Sequence, residues 1–204
     1  DSFVKKYKLQ GLRETLNLDY PSYILALAMG AGKTILIASV IATEFAMALE
    51  YNEENGFIKN ALVFAPGKTI LGALREISEA PYDRILPKRF YKSFITNVKF
   101  TYTRDGEKDI PVIRGSSFNV VVTNTEKIRL QKSTIPKSFL GTQLSLGIEE
   151  AKELVANLRL QTITSLPHLA VFSDEAHHTY GQKLEADLKR VRQTINYINK
   201  KTNL

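Results

Sequence analysis

Two short stretches carry side chains able to do chemistry together. The first is Gly30-Ala31-Gly32-Lys33-Thr34, and the second is Asp174-Glu175 after the apolar run Leu169-Ala170-Val171-Phe172. Glycines permit tight turning and leave the backbone approachable, so several N–H groups can aim at one point. At the start of a helix such N–H groups make a cradle for phosphate. Lys33 is then placed to reach β and γ phosphates, and the Thr34 hydroxyl to ligate Mg²⁺. A carboxylate leaving the end of a buried strand can hold the same ion, which assigns Asp174 to the metal. The carboxylate beside it, Glu175, can orient and deprotonate an attacking water.

A near-echo, Ala65-Pro66-Gly67-Lys68-Thr69, ends in the same three residues. It lacks the cradle: Ala65 stands where glycine is wanted, and Pro66 has no N–H to donate. The phosphate is therefore assigned to the first stretch alone. Leu27 stands where the fullest form of such loops has a further glycine. His177-His178 invites a zinc reading, but His168 is the only other histidine and there is no cysteine. That is too few ligands for a structural site and gives no convincing catalytic set. Glu150-Ala151-Lys152 has the Glu-x-Lys spacing of one nuclease class without a suitably placed Pro-Asp before it, and a helical surface explains it better.

The elements that must position these residues follow from the apolar pattern. Residues 3–18 read as a loosely helical lead-in, and Pro21 breaks what precedes it. Residues 23–28 form a short continuous apolar run, expected as a strand buried on both faces. A helix is expected over 33–49, apolar on most sides, packed on the sheet and covered again. A strand over 61–64, a helix over 70–78 and a hairpin joining 97–102 to 112–113 around Arg104-Asp105-Gly106 come next. A buried strand over 119–123 precedes a polar loop over 131–147 and an amphipathic helix over 148–161. The region 131–165 is expected as an insertion. A last buried strand over 169–172 and a helix over 184–198 complete an alternation that implies a mostly parallel α/β sheet.

Apolar residues make up 44% of the 204 and charged residues 24%, ordinary for a globular chain with a sizeable core. The formal charge of +7 favours a polyanionic partner such as nucleic acid. The absence of cysteine excludes disulfides and thiolate metal sites and fits a reducing compartment. Asp1-Ser2-Phe3-Val4-Lys5-Lys6 does not read as a secretory leader. The longest apolar stretch, 35–49, holds Ser39, Thr43 and Glu44 and is shorter than a bilayer span. A cytoplasmic fragment of a longer protein, without a membrane partner, is expected.

Ala28-Met29-Gly30-Ala31-Gly32-Lys33-Thr34 resembles motif I of superfamily-two helicases and translocases, and Asp174-Glu175-Ala176-His177 resembles the DEAH form of their motif II. The resemblance covers most of the chain and implies a first RecA-like P-loop domain, with helices on both faces of its sheet. It implies ATP and Mg²⁺ at residues Met29, Gly30, Ala31, Gly32, Lys33 and Thr34, with Asp174 on the metal and Glu175 as base. It gives His177 a coupling role between nucleotide and partner domain. Lys68 and Thr69 resemble motif Ia, and Thr123-Asn124-Thr125 resembles motif Ib; both motifs touch the nucleic-acid backbone in relatives. Gln10 lies about where many relatives read adenine, the alternative being a surface glutamine.

Within the superfamily, the stretch from Ser116 to Leu130 and the stretch from Asp174 to Gly181 look most like the ATPase (Res) subunits of type III restriction enzymes. Type I motor subunits are the near alternative. The resemblance implies single- or double-stranded DNA as partner, a second RecA-like domain bringing an arginine, and a modification or specificity subunit. It also implies poor hydrolysis by the domain alone. Two other classes stay open on the residues: a different P-loop NTPase, and a non-enzymatic nucleic-acid-binding module with a degenerate nucleotide site.

Overall fold

The computed structural model describes residues 20–23, 25, 27–28, 30–54, 56–65, 75–103, 109–128, 130–132, 154–174 and 185–202. Contacts divide the chain into two compact units, 1–31 and 32–204. In the first unit the described residues are irregular. The strand expected over 23–28 is absent from them, with Tyr23 90% and Leu25 64% exposed. A strand exists only by pairing its N–H and C=O groups with a neighbour. The described residues of this unit offer none. The lead-in expected over 3–18 lies outside the described residues.

The second unit opens with α1, Lys33–Glu50. Ala38, Ile41, Ala42, Phe45, Ala46 and Ala48 are buried at helical spacing. The opposite side carries Ile35, Leu36 and Val40, each more than a third exposed, so the second cover expected for this helix is not formed there. β1 spans Asn60–Ala65. A 3₁₀ turn at Arg75–Ile77 occupies the end of the expected 70–78 helix, whose first five residues lie outside the described set. Two helices follow, α2 (Tyr82–Ile85) and α3 (Lys88–Asn97). Then come β2 (Lys99–Tyr102), β3 (Asn119–Asn124) and a 3₁₀ turn at Thr125–Ile128.

β2 does not form the expected hairpin. It pairs in parallel with β3, Lys99 against Asn119, and Val112 and Ile113 are not in a strand. β4 (Leu130–Lys132) and β5 (Leu154–Ala156) form an antiparallel ribbon. The helix expected over 148–161 is therefore replaced: 154–156 is strand, and α4 (Leu158–Thr164) starts later. Asn157 sets that start, its Oδ1 accepting from Leu160 N–H at 2.9 Å. β6 (Leu169–Ser173) and α5 (Glu185–Thr202) close the chain.

The main sheet is four-stranded and parallel throughout, in the order β2-β3-β1-β6. Alternation sends Ala61, Val63, Val120 and Val122 to one face, under α1, α2 and α3. Leu62, Phe64 and Val121 face the other way, against Leu160 and Ile163 of α4 and Ile198 of α5. Both faces of the central strands are thus covered, which explains their unbroken apolar sequence. This is the α/β architecture of a RecA-like domain, with helices on both faces.

A buried amide ties the amino edge of the sheet. Asn60 Nδ2 donates to the carbonyls of Ser116 (3.1 Å) and Pro167 (2.6 Å), and Oδ1 accepts from Asn119 N–H and Nδ2. The starts of β1, β3 and β6 are held in register by one side chain. Phe118 and His168, the residues just before β3 and β6, both take left-handed conformations, φ 66° and 47°. Each joins Lys59 through the backbone: Phe118 N–H donates to the Lys59 carbonyl, and Lys59 N–H to the His168 carbonyl.

Candidate nucleotide site

The glycine turn has the backbone that its sequence demands. Gly30 and Gly32 have φ of +76° and +77°, a region that L side chains rarely adopt. Among the described residues no atom lies within 4 Å of where a Cβ would sit at either, and the conformation by itself favours glycine there. Ala31 N–H donates to the Ala28 carbonyl at 3.2 Å, and Leu36 N–H to the Gly32 carbonyl at 3.0 Å. The second of these bonds starts α1. Its first turn carries no acidic residue and its N-terminus no side-chain cap. The positive end of the helix dipole therefore favours an anion at this turn. Lys33 and Thr34 are partly buried in this first turn.

The direction of α1 fixes where that turn lies. Glu44 Oε2 accepts from the N–H of Ile58, just before β1, at 3.2 Å. The Phe45 ring meets that of Phe118, just before β3, at 5.6 Å. The second half of α1 therefore sits at the amino edge of the sheet, and the helix runs against the strands. From Phe45 back to Lys33 the helix spans about 18 Å, and strands of this length span about 17–20 Å. Lys33 and Thr34 thus stand level with the carboxyl edge.

Asp174 stands at the same edge. Its N–H donates to the Phe64 carbonyl at 2.9 Å, carrying the β6–β1 ladder one residue past β6. Strand alternation places it on the side of Phe172, which packs in the cluster containing α1. Lys33, Thr34 and Asp174 therefore share one edge and one face of the sheet. This is where open α/β sheets bind ligands. The chemistry of the residues fits a magnesium-bound phosphate: a hydroxyl, a carboxylate, an ammonium and the N-terminus of a helix.

Other expected residues fare differently. Thr123 and Asn124, expected at the nucleic-acid backbone, are buried at the end of β3. They are 0% and 1% exposed. Thr103 Oγ1 donates to Thr123 Oγ1 at 2.9 Å, and Asn124 Oδ1 accepts from Lys127 N–H at 3.1 Å, capping the following turn. Their polarity serves the end of β3. Among the described residues the Asn124 Nδ2 group has no hydrogen-bond partner. Met29, Gln10, Lys68, Thr69, Glu175 and His177 lie outside the described residues. His168 lies at the amino edge, opposite Asp174. Among the described residues no group of three or more His, Cys, Asp or Glu could hold a metal.

Among the described residues no helix is long and apolar enough to cross a membrane. No curated protein and no solved structure matches the sequence. A family model described as type III restriction enzyme, res subunit, matches residues 4–204, nearly the whole chain, and the chain belongs to that family.

Proposed function

We propose that this chain is the first motor domain of an ATP-dependent DNA translocase or helicase, the restriction subunit of a type III system. The observation that carries the reading is the shared edge and face of Lys33, Thr34 and Asp174. The N–H groups of the turn and first helical turn, from Gly30 to Thr34, bind the phosphates, and Lys33 neutralises the β and γ oxygens. Thr34 and Asp174 would hold magnesium, which would supply charge neutralisation at the phosphates. Glu175 takes the proton of the attacking water, and His177 couples the site to a partner domain. Gln10 reads the adenine. Lys68 and Thr69 touch the DNA backbone.

An arginine from a second RecA-like domain would complete the transition-state contacts, an addition worth about 10³–10⁵ in rate in P-loop enzymes. The domain by itself accordingly binds nucleotide and hydrolyses it slowly. A modification or specificity subunit would direct the motor to its DNA. The test is a titration with a fluorescent ATP analogue. Lys33→Ala is expected to weaken binding at least about tenfold, or about 1.4 kcal/mol. Unchanged affinity in a folded Lys33→Ala variant would leave the chain a nucleic-acid-binding module with a degenerate site, and the motor reading would fail.

A further inference from the structure

α3 buries one side and leaves a basic strip on the other. Phe94 is fully buried, its ring 4.8 Å from Tyr82 and 6.5 Å from Phe45. Phe90 and Tyr91 are half-buried beside it. At about 100° per residue, Lys88, Lys92, Thr96, Arg89 and Ser93 fall on one arc away from Phe94, and all five are exposed. The helix has no carboxylate anywhere in its sequence.

Three observations point to an external polyanion on this strip. Lys88 and Arg89 sit in the first turn, where the helix dipole already concentrates positive charge, and Pro87 supplies no side-chain cap. That placement is unfavourable in the free chain and becomes favourable when an anion lies against it. Among the described residues none of the three cations is ion-paired. Glu76, Glu79 and Asp83 on the preceding turn and helix are exposed but make no bridge to them. Third, the Arg89 guanidinium lies over the Phe90 ring at 4.2 Å. A guanidinium held on a ring loses less freedom when its N–H edge takes a phosphate.

We propose that the Lys88–Arg89–Lys92 face of α3 is a docking strip for the phosphate backbone of a polynucleotide. The choice of polyanion rests on the motor reading, and the strip extends it with a binding surface that no nucleotide-site residue shares. Contacts of this kind are sequence-independent and salt-sensitive.

The experiment measures anisotropy of a labelled random-sequence duplex at several salt concentrations, with the ATP analogue titrated in parallel. The test variant is Lys88→Ala/Arg89→Ala/Lys92→Ala. The control is Arg114→Ala/Lys200→Ala/Lys201→Ala, which removes the same charge from other exposed positions. The strip variant should weaken duplex binding about tenfold or more and flatten the log K against log salt slope by about 2.7, the value for three lost phosphate contacts. The control should change affinity less than about twofold by the same reasoning. Equal losses in both variants, no loss in the strip variant, or no duplex binding by the unmodified chain would each overturn the proposal. Loss of nucleotide binding alone, with the duplex result as expected, would overturn the motor reading and leave the strip standing.

Discussion

Replacing Asn60 by alanine should cost the fold more than any surface change, and the amount follows from its bonds. The side chain is 0% exposed and makes four hydrogen bonds, two donated by Nδ2 and two accepted by Oδ1. Truncation strips partners from the carbonyls of Ser116 and Pro167 and from Asn119 N–H. Asn119 Nδ2 keeps the Ser116 hydroxyl at 3.0 Å. One buried and two part-buried groups lose a partner, at up to about 1–3 kcal/mol each before relaxation. Some recover through water or small shifts, so a net loss of about 3–5 kcal/mol is expected, a large part of a domain's stability. Urea unfolding followed by circular dichroism would show the midpoint fall with the slope unchanged. Asn60→Asp should be no milder at neutral pH, since it keeps the acceptor and sets a carboxylate against two carbonyls. A cost below about 1 kcal/mol for Asn60→Ala, the worth of a single ordinary bond, would refute the idea that this amide holds three strands together.

Two further outcomes test the packing. Burial, and secondarily the neighbouring Tyr102, push the Tyr82 phenol above its ordinary range, and its hydroxyl donates to the Ile77 carbonyl. The folded-state pKa is raised, so this contribution is fully present below the unfolded value near 10 and is lost as pH rises above it. Thermal unfolding should show stability level up to about pH 9.5 and falling beyond, while Tyr82→Phe should lose about 1 kcal/mol at neutral pH and abolish that alkaline limb. Thr123→Val should cost about 1 kcal/mol through the lost Thr103 partner yet leave duplex affinity within twofold; a large drop in DNA binding without unfolding would return Thr123 to the nucleic-acid surface.

How much was readable beforehand depended on whether the deciding contact was local. The central strands carry continuous apolar runs at 61–65 and 120–122 because both faces are covered, and that pattern survives in sequence. The helix from Lys33 follows a glycine turn whose conformation only glycine takes readily, so its start was legible to the residue. The hairpin expected between 97–102 and 112–113 failed because Arg104-Asp105-Gly106 is a local turn signal, whereas β2 found its partner in β3. The helix expected to begin at 148 failed because β5 pairs with β4, a contact no periodicity reveals, and the Asn157 cap restarts the helix. The nucleic-acid contact expected of Thr123 and Asn124 rests on a motif resemblance, which carries no information about burial. Only packing shows that both are buried and bonded within the fold. The α3 strip matches no fixed motif and needed the burial of Phe94 to define its outer side.

Magnesium dependence of nucleotide affinity tests the convergence of Lys33, Thr34 and Asp174 most directly. In the unmodified chain, adding Mg²⁺ to a chelated titration should tighten ATP binding about tenfold or more, or at least about 1.4 kcal/mol. Asp174→Asn should match it without the metal and gain little when the metal is added. If Asp174→Asn gained as much from Mg²⁺ as the unmodified chain, the end of β6 would not serve the phosphate turn and the nucleotide site described here would be wrong.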